Sequence, residues 1–282
     1  MDGIILVNKE TNMTSRDVVN KLIHILNTKK VGHTGTLDPL AEGVLVVCVG
    51  KALKVAEYIT ALEKEYIAEI TLGISTDTLD ITGTILEETE VNVTDKDIDK
   101  VLESFIGDYD MEVPLYSAVK VNGKRLYEYA RNNIDVELPI HKVKINSLER
   151  ISPVENNKFL IKCSVSKGTY IRSLVRDICK RLNTIGVMSK LTRTKQGKFN
   201  IEDSYTLDEI KNDEYKMMPI IDFIDLPKVE IDDVLYKKIS NGVKLENNYG
   251  YDMFCFVYNN EVIALYKSEG IYVKPVKVFI NN

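Results

Sequence analysis

Apolar residues run along this chain in short blocks whose period keeps changing. Ile4, Ile5, Leu6 and Val7 form a continuous run inside Gly3 to Asn8, the pattern of a short strand buried on both faces. Beyond it Val18, Val19, Leu22 and Leu26 recur at helical spacing. Thr14 or Ser15 can cap that helix, and Asp17 falls in its first turn. Val44 to Val49 is a second buried strand, and Lys51 to Leu62 reads as a helix. From Glu65 to Gly73 the period drops to two, with Tyr66, Ala68, Ile70 and Leu72 on one side, which predicts a strand. Ile98, Val101, Leu102 and Phe105 restore helical spacing behind a cap at Thr94. Tyr116 to Val121 reads as a strand and Arg125 to Asn132 as a short helix. His141 to Arg150 and Lys158 to Val165 follow as a strand pair, and a turn at Gly168 leads into a helix over Tyr170 to Leu182.

Strands and helices mixed without regular alternation predict an α+β fold rather than a doubly wound parallel sheet. Pro219 and Pro227 flank the expected boundary between a large domain, residues 1–225, and a small one, residues 226–282. The small domain reads as a helix followed by short strands.

Composition adds little until its distribution is considered. The 282 residues are 44% hydrophobic and 28% charged, ordinary for a soluble globular protein. No apolar run approaches the roughly 20 residues of a membrane span, and the N-terminus lacks the features of a signal peptide. Cys48, Cys163, Cys179 and Cys255 form no Cys-x-x-Cys pair and the three histidines are dispersed, so no metal site and a reduced cytoplasmic setting are expected. The net charge of −5 argues against a nucleic-acid partner, but residues 115–200 carry 18 Lys and Arg against 6 Asp and Glu, a net of +12. Residues 61–114 carry 3 against 15, a net of −12. Such segregation can build a positive surface on an acidic protein, or simply place charged faces in water.

The segment from Gly32 to Leu45 holds the candidate chemistry. Asp38 lies in a glycine-containing stretch, and Pro39 biases it toward an extended or turn conformation. From spacing alone it is either a turn-forming Asp-Pro or a carboxylate presented on a loop braced by the following strand.

As a whole, Gly32-His33-Thr34-Gly35-Thr36-Leu37-Asp38-Pro39-Leu40-Ala41-Glu42-Gly43-Val44-Leu45 resembles the catalytic motif of the TruB-type pseudouridine synthases. The resemblance continues in Gly3 to Lys9 with Met13-Thr14-Ser15, in Lys64-Glu65-Tyr66 with Leu72 to Asp80, in Pro114 to Arg131 and in Ser166 to Leu174. Leu191-Thr192-Arg193-Thr194 with Gly197-Lys198-Phe199 resembles a further motif. Glu10, Asn12, Cys179 and Thr192 depart from the family's usual Pro, Gly, Gly and Arg.

The resemblance implies a pseudouridine synthase fold: a mixed, largely antiparallel central sheet flanked by helices, an RNA-gripping insertion at about 120–142 and a small C-terminal PUA-like β domain. It implies isomerisation of uridine 55 in the T loop of tRNA, with the base flipped into a pocket. Asp38 maps to the essential catalytic carboxylate, Tyr66 and Arg172 to the active-site tyrosine and arginine, Asp80 to a loop aspartate and Leu191 to the base pocket. Lys9 would lie near the site, His33 would take the vacated place in the RNA loop, and Lys120, Arg125 and Tyr127 would grip the RNA. No cofactor, metal, guide RNA or obligatory protein partner is implied, and a monomer is expected.

The residue chemistry is compatible with these assignments. Arg172 on a first helical turn is not placed to complement the helix dipole, which favours an outside carboxylate such as Asp38, while Thr169 can cap that helix. Tyr127 and Tyr129 among basic residues suit stacking beside phosphate contacts. Two other classes compete: an RNA-folding protein using the same basic strip, and a nucleoside hydrolase with Asp38 and Asp80 as paired carboxylates.

Overall fold

Two helices begin by the same local chemistry. The Thr14 hydroxyl accepts from the Asp17 amide while the Asp17 carboxylate accepts from the Thr14 amide, a reciprocal cap that starts α1 (Ser15–Ile25). Thr94 and Asp97 repeat it at the start of α2 (Asp95–Glu103). The computed structural model describes residues 1–280.

Nine strands form the main sheet: β1 (Gly3–Lys9), β2 (Val31–His33), β3 (Glu42–Val49), β4 (Lys64–Leu72), β5 (Gly107–Glu112), β6 (Ile140–Arg150), β7 (Lys158–Val165), β8 (Gly186–Gln196) and β9 (Phe199–Asn200). Their order is β1-β3-β8-β4-β7-β6-β5, with β2 on β3 and β9 on β8. All pairs are antiparallel except β3 with β8, where Thr192 and Arg193 run parallel to Glu42 and Gly43. The expected mixed, largely antiparallel sheet is therefore present. Strand β4 alternates buried and half-buried residues along its whole length, as its period of two predicts.

One face of the sheet is covered by α2 and α4 (Ile171–Arg181), whose Leu174, Val175 and Ile178 pack with Tyr66, Ala68 and Ile70 of β4. Each buried Leu, Val or Ile side chain among them contributes about 1.5–3 kcal/mol by leaving water. On the other face α1 packs Val18, Val19 and Leu22 against Ile5, Val7 and Leu45. A second sheet follows, of β10 (Lys228–Glu230), β11 (Leu245–Glu246), β12 (Met253–Tyr258), β13 (Glu261–Glu269) and β14 (Tyr272–Val278), in the order β10-β12-β13-β14-β11. Its Cys255, Val257 and Leu265 share an apolar core with Ile4, Val44 and Ile59.

Four local expectations change. Lys51 to Leu62 is a 3-10 turn over Gly50–Val55 followed by a short α-helix over Ala56–Ala61, because Asp2 Oδ1 captures the Lys51 amide and Lys30 the Gly50 amide at the start. Tyr116 to Val121 is not a strand: only Lys120–Val121 pairs, with Lys124–Arg125, in a small hairpin ahead of α3 (Leu126–Arg131). In the C-terminal part a strand, β10, precedes the helix Asp233–Ser240. Thr169 does not cap α4; its hydroxyl donates to the Ser166 carbonyl and closes the turn before it. Among the described residues no helix is long and apolar enough to cross a membrane, and no cluster of His, Cys, Asp and Glu could hold a metal ion.

Candidate active site

Asp38 stands in the loop between β2 and β3, and that loop is anchored at several points. The Ser15 hydroxyl accepts from the Leu37 amide at 2.8 Å, the Asn12 amide donates to the Pro39 carbonyl at 2.8 Å, and the Ala41 amide donates to the Asp38 carbonyl at 3.0 Å. Asn12 has φ 64°, a left-handed conformation that asparagine tolerates better than most residues. Gly43 has φ +102°, and a Cβ there would lie 2.3 Å from the Arg193 carbonyl oxygen, so the close parallel approach of β8 requires glycine. The loop is irregular yet fixed, which is what a positioned carboxylate requires.

Arg172, on the first turn of α4, reaches across to it. Nε lies 2.9 Å from Asp38 Oδ2, Nη1 donates to the Thr78 carbonyl and Nη2 to the Tyr116 carbonyl, each at 3.1 Å. The Arg172 side chain is 7% exposed and that of Asp38 is 36% exposed. The pair is thus buried on the guanidinium side and open on the carboxylate side. It opens into a cleft of about 330 Å³ lined by Leu37, Asp38, Tyr66, Tyr127, Arg172 and Leu191, among others. A larger apolar hollow of about 580 Å³ between Tyr58 and Leu265 has no such carboxylate–guanidinium pair.

Tyr66 is buried, and burial pushes its hydroxyl above the usual range, opposed by the charge of Arg193. Asp80 does not line the cleft. Its Oδ1 accepts from the Thr78 and Thr82 hydroxyls at 2.9 and 2.6 Å and from the Thr82 amide at 3.0 Å. That carboxylate is occupied in holding the Thr78 loop, whose carbonyl in turn holds Arg172, so it is not free as the second carboxylate of a hydrolase. Asp80→Ala is expected to lower kcat by up to about 10²-fold through misplacement of Arg172. Steady-state kinetics with RNA substrate check this; unchanged kcat contradicts it.

Lys9 lies beneath the loop, fully buried, donating to the carbonyls of Ala41 at 2.5 Å and Glu10 at 2.8 Å. Burial lowers its pKa to about 8, despite the opposing charge of Asp38. Between pH 8 and 10.5 the folded protein releases a proton that the unfolded chain still holds, so this group makes stability rise with pH across that window. Burial draws Lys64 to about 8 as well, in the same sense. The stability of wild type relative to Lys9→Met is expected to increase by on the order of 2 kcal/mol from pH 7.5 to pH 10. Denaturant midpoints measure this, and a pH-independent difference contradicts it.

The remaining predicted residues stand apart from the carboxylate. His33 sits on β2 outside the cleft lining, its Nδ1 buried without a partner and its pKa lowered by burial and then by Arg193 and Arg16. Lys120 and Arg125 are exposed on the small hairpin, where Arg125 and Arg131 flank the Tyr127 ring at 5.8 and 5.4 Å from its centroid. The two charge blocks meet across the fold. Lys162 pairs with Glu65, Lys158 and Lys190 with Glu69, Arg150 with Asp95 and Asp99, and Arg176 with Glu112. Twelve of the 18 basic residues, Lys120, Lys124, Arg125, Arg131, Lys142 and Lys144 among them, remain outside ion pairs among the described residues, so the positive surface is narrower than the count implies.

Sequence reasoning passed over Arg193. It is 1% exposed and stands opposite Tyr66 in the β4–β8 register. Nε donates to the Val44 carbonyl at 2.7 Å and Nη2 to the Gly35 carbonyl at 3.2 Å. The signal was present: two residues from Leu191, it shares the strand face that Leu191 buries.

Comparison with known proteins bears on this geometry. The family model described as TruB family pseudouridylate synthase (N terminal domain) matches residues 23–171. A protein of Caldanaerobacter subterraneus subsp. tengcongensis named tRNA pseudouridine synthase B is 46% identical over 274 residues, covering 97% of this chain and 94% of the relative. The protein of the same name from Staphylococcus saprophyticus is 45% identical over 302 residues, covering 99% of each. Among solved structures, "Crystal Structure of a Cbf5-Nop10-Gar1 Complex" contains a chain that superposes with a TM-score of 0.73 at 27% identity, covering 99% of this chain and 85% of that one.

Proposed function

This chain belongs to the TruB family of pseudouridylate synthases, and from that premise we propose how its cleft acts on tRNA. It is a tRNA pseudouridine synthase, an isomerase that converts uridine 55 of the T loop to pseudouridine. The observation that carries the mechanistic reading is the 2.9 Å Asp38–Arg172 pair, open toward a cleft that Tyr66 and Leu191 also line.

The reaction breaks the N-glycosidic bond, turns the base and rejoins it through carbon. The same atoms enter and leave, so the chemistry calls for no co-substrate. A stacked T-loop uridine has to be extruded first, at a cost of a few kcal/mol. Stacking on Tyr66, worth about 1–3 kcal/mol, offsets that cost. Leu191 lines the base pocket, His33 takes the vacated place in the RNA loop, and Lys120, Arg125 and Tyr127 hold the surrounding strand.

Asp38 is the essential carboxylate, acting as nucleophile at ribose C1′ or base C6, or as a base on a glycal route. Arg172 fixes its orientation and balances its charge, and Tyr66 takes part in proton transfer once the base has turned. Residues 1–225 carry the chemistry, with the segment at about 120–142 gripping RNA. Residues 226–282 form a PUA-like accessory domain, and the chain acts without guide RNA or protein partner.

Incubating unmodified tRNA transcript with the purified protein alone tests this reading. Nucleoside analysis and mapping are expected to find pseudouridine at position 55 and no free uracil. Free uracil, or no conversion, contradicts it.

A further inference from the structure

Arg193 is a buried guanidinium that takes part in none of the ion pairs among the described residues. An unpaired cation in the interior is costly unless its donors are used. Its hydrogen bonds go to the two arms of the Asp38 loop, at Gly35 and Val44. The fit is close on both arms. A Cβ on Gly35 would lie 3.2 Å from Nη1, and one on Gly43 would collide with the Arg193 backbone. Directly across the antiparallel register stands Tyr66, whose side chain lines the cleft at 8% exposure. The Arg193 charge acts on the Tyr66 hydroxyl against the effect of burial.

We propose that Arg193 is a positioning residue for the isomerisation, a single guanidinium that ties both arms of the Asp38 loop together on the strand position paired with Tyr66 and so fixes Asp38 and Tyr66 relative to each other. The inference rests on the roles given above to Asp38 and Tyr66. Guanidinium suits this task because its donors diverge in one plane from a rigid fork, whereas an ammonium is a compact point charge on a flexible stem. Arg193 is not itself among the residues that line the cleft. Its effect therefore falls on turnover rather than on RNA affinity.

A double-mutant cycle tests this. Arg193→Met and Arg193→Lys are made in the wild-type and Tyr66→Phe backgrounds, and kcat and KM are measured on tRNA transcript for variants whose Tm shows them folded. Arg193→Met is expected to lower kcat about 10²-fold with KM changed by less than about threefold, and Arg193→Lys to restore part of the loss. In the Tyr66→Phe background the same substitution is expected to cost about tenfold less, because the hydroxyl it acts through is already gone. An equal factor in both backgrounds, or unchanged kcat in Arg193→Met, overturns the inference while leaving Tyr66 and Asp38 in their roles. Full activity of Tyr66→Phe alone shows instead that the reading of Tyr66 fails, and the inference with it. If Arg193→Met does not fold, Arg193→Lys in the two backgrounds decides by the same comparison.

Discussion

Asp38→Asn and Asp38→Ala are expected to yield no detectable pseudouridine while binding T stem-loop RNA about as well as wild type. The asparagine side chain matches aspartate in shape and lacks only the charge that attack or proton abstraction requires. Apart from the ion pair with Arg172, nothing that anchors the loop depends on that carboxylate: Ser15 holds Leu37, Lys9 holds Ala41, and Arg193 holds Gly35 and Val44, all through backbone groups. The fold and the RNA-facing surface therefore survive the substitution. A loss on the order of 10⁴-fold or more in turnover is expected, the scale seen when a residue acting directly in chemistry is removed. Nucleoside analysis beside an equilibrium binding measurement separates the two effects. Appreciable turnover by either variant contradicts the assignment.

Arg172→Met is the second large effect. The guanidinium joins three separate parts of the chain: the Asp38 loop, the Thr78 turn and the Tyr116 segment. Removing it leaves Asp38 without its ion pair and two carbonyls without donors, in a place where the side chain was 7% exposed. A kcat loss of about 10²–10³-fold is expected, comparable to removing one preorganised charge-stabilising group from a site. Stability is expected to fall by about 1–3 kcal/mol because the freed polar groups lose their partners. Arg172→Lys should recover little, since one ammonium cannot serve three directions at once. Rapid-quench turnover and thermal melts on the same preparations read both effects. A lysine variant with wild-type kcat contradicts this account.

What was legible in the sequence was mostly local. The caps at Thr14 and Thr94 are encoded within four residues, and the period of two over Glu65 to Gly73 requires only that one face of the strand be buried. The resemblance named Asp38, Tyr66, Arg172, Leu191 and Tyr127, and the fold brings all five to one cleft. The failures have non-local causes. Tyr116 and Ser117 read as strand, yet the Tyr116 carbonyl accepts from Arg172 and the Ser117 carbonyl from the Tyr127 amide, so their backbone is used by partners far along the chain. Strand β8, absent from the sequence reading, joins the two halves of the sheet by a parallel pairing on one side and an antiparallel one on the other. No local signal marks such a position. Arg193 carried one local sign, its place two residues from Leu191 on the same strand face, but the groups it serves, Tyr66, Gly35 and Val44, arrive from elsewhere in the chain.

The charge pattern was misleading in a related way. Glu65 and Glu69 lie on β4 between β7 and β8, which brings acidic residues of one block against Lys158, Lys162 and Lys190 of the other. Counting along the chain treats those lysines as free for phosphate, whereas the sheet gives them carboxylate partners. Among the cations outside ion pairs are those of the hairpin and α3 beside Tyr127, and Lys142 and Lys144 of β6.

The most direct measurement is a crystal structure of Asp38→Asn bound to a T stem-loop RNA. The account predicts that the uridine corresponding to position 55 lies outside its own stack, with its base against Tyr66 and Leu191 and its ribose beside residue 38. A target uridine still stacked within the RNA, with the cleft left empty in the complex, would contradict it.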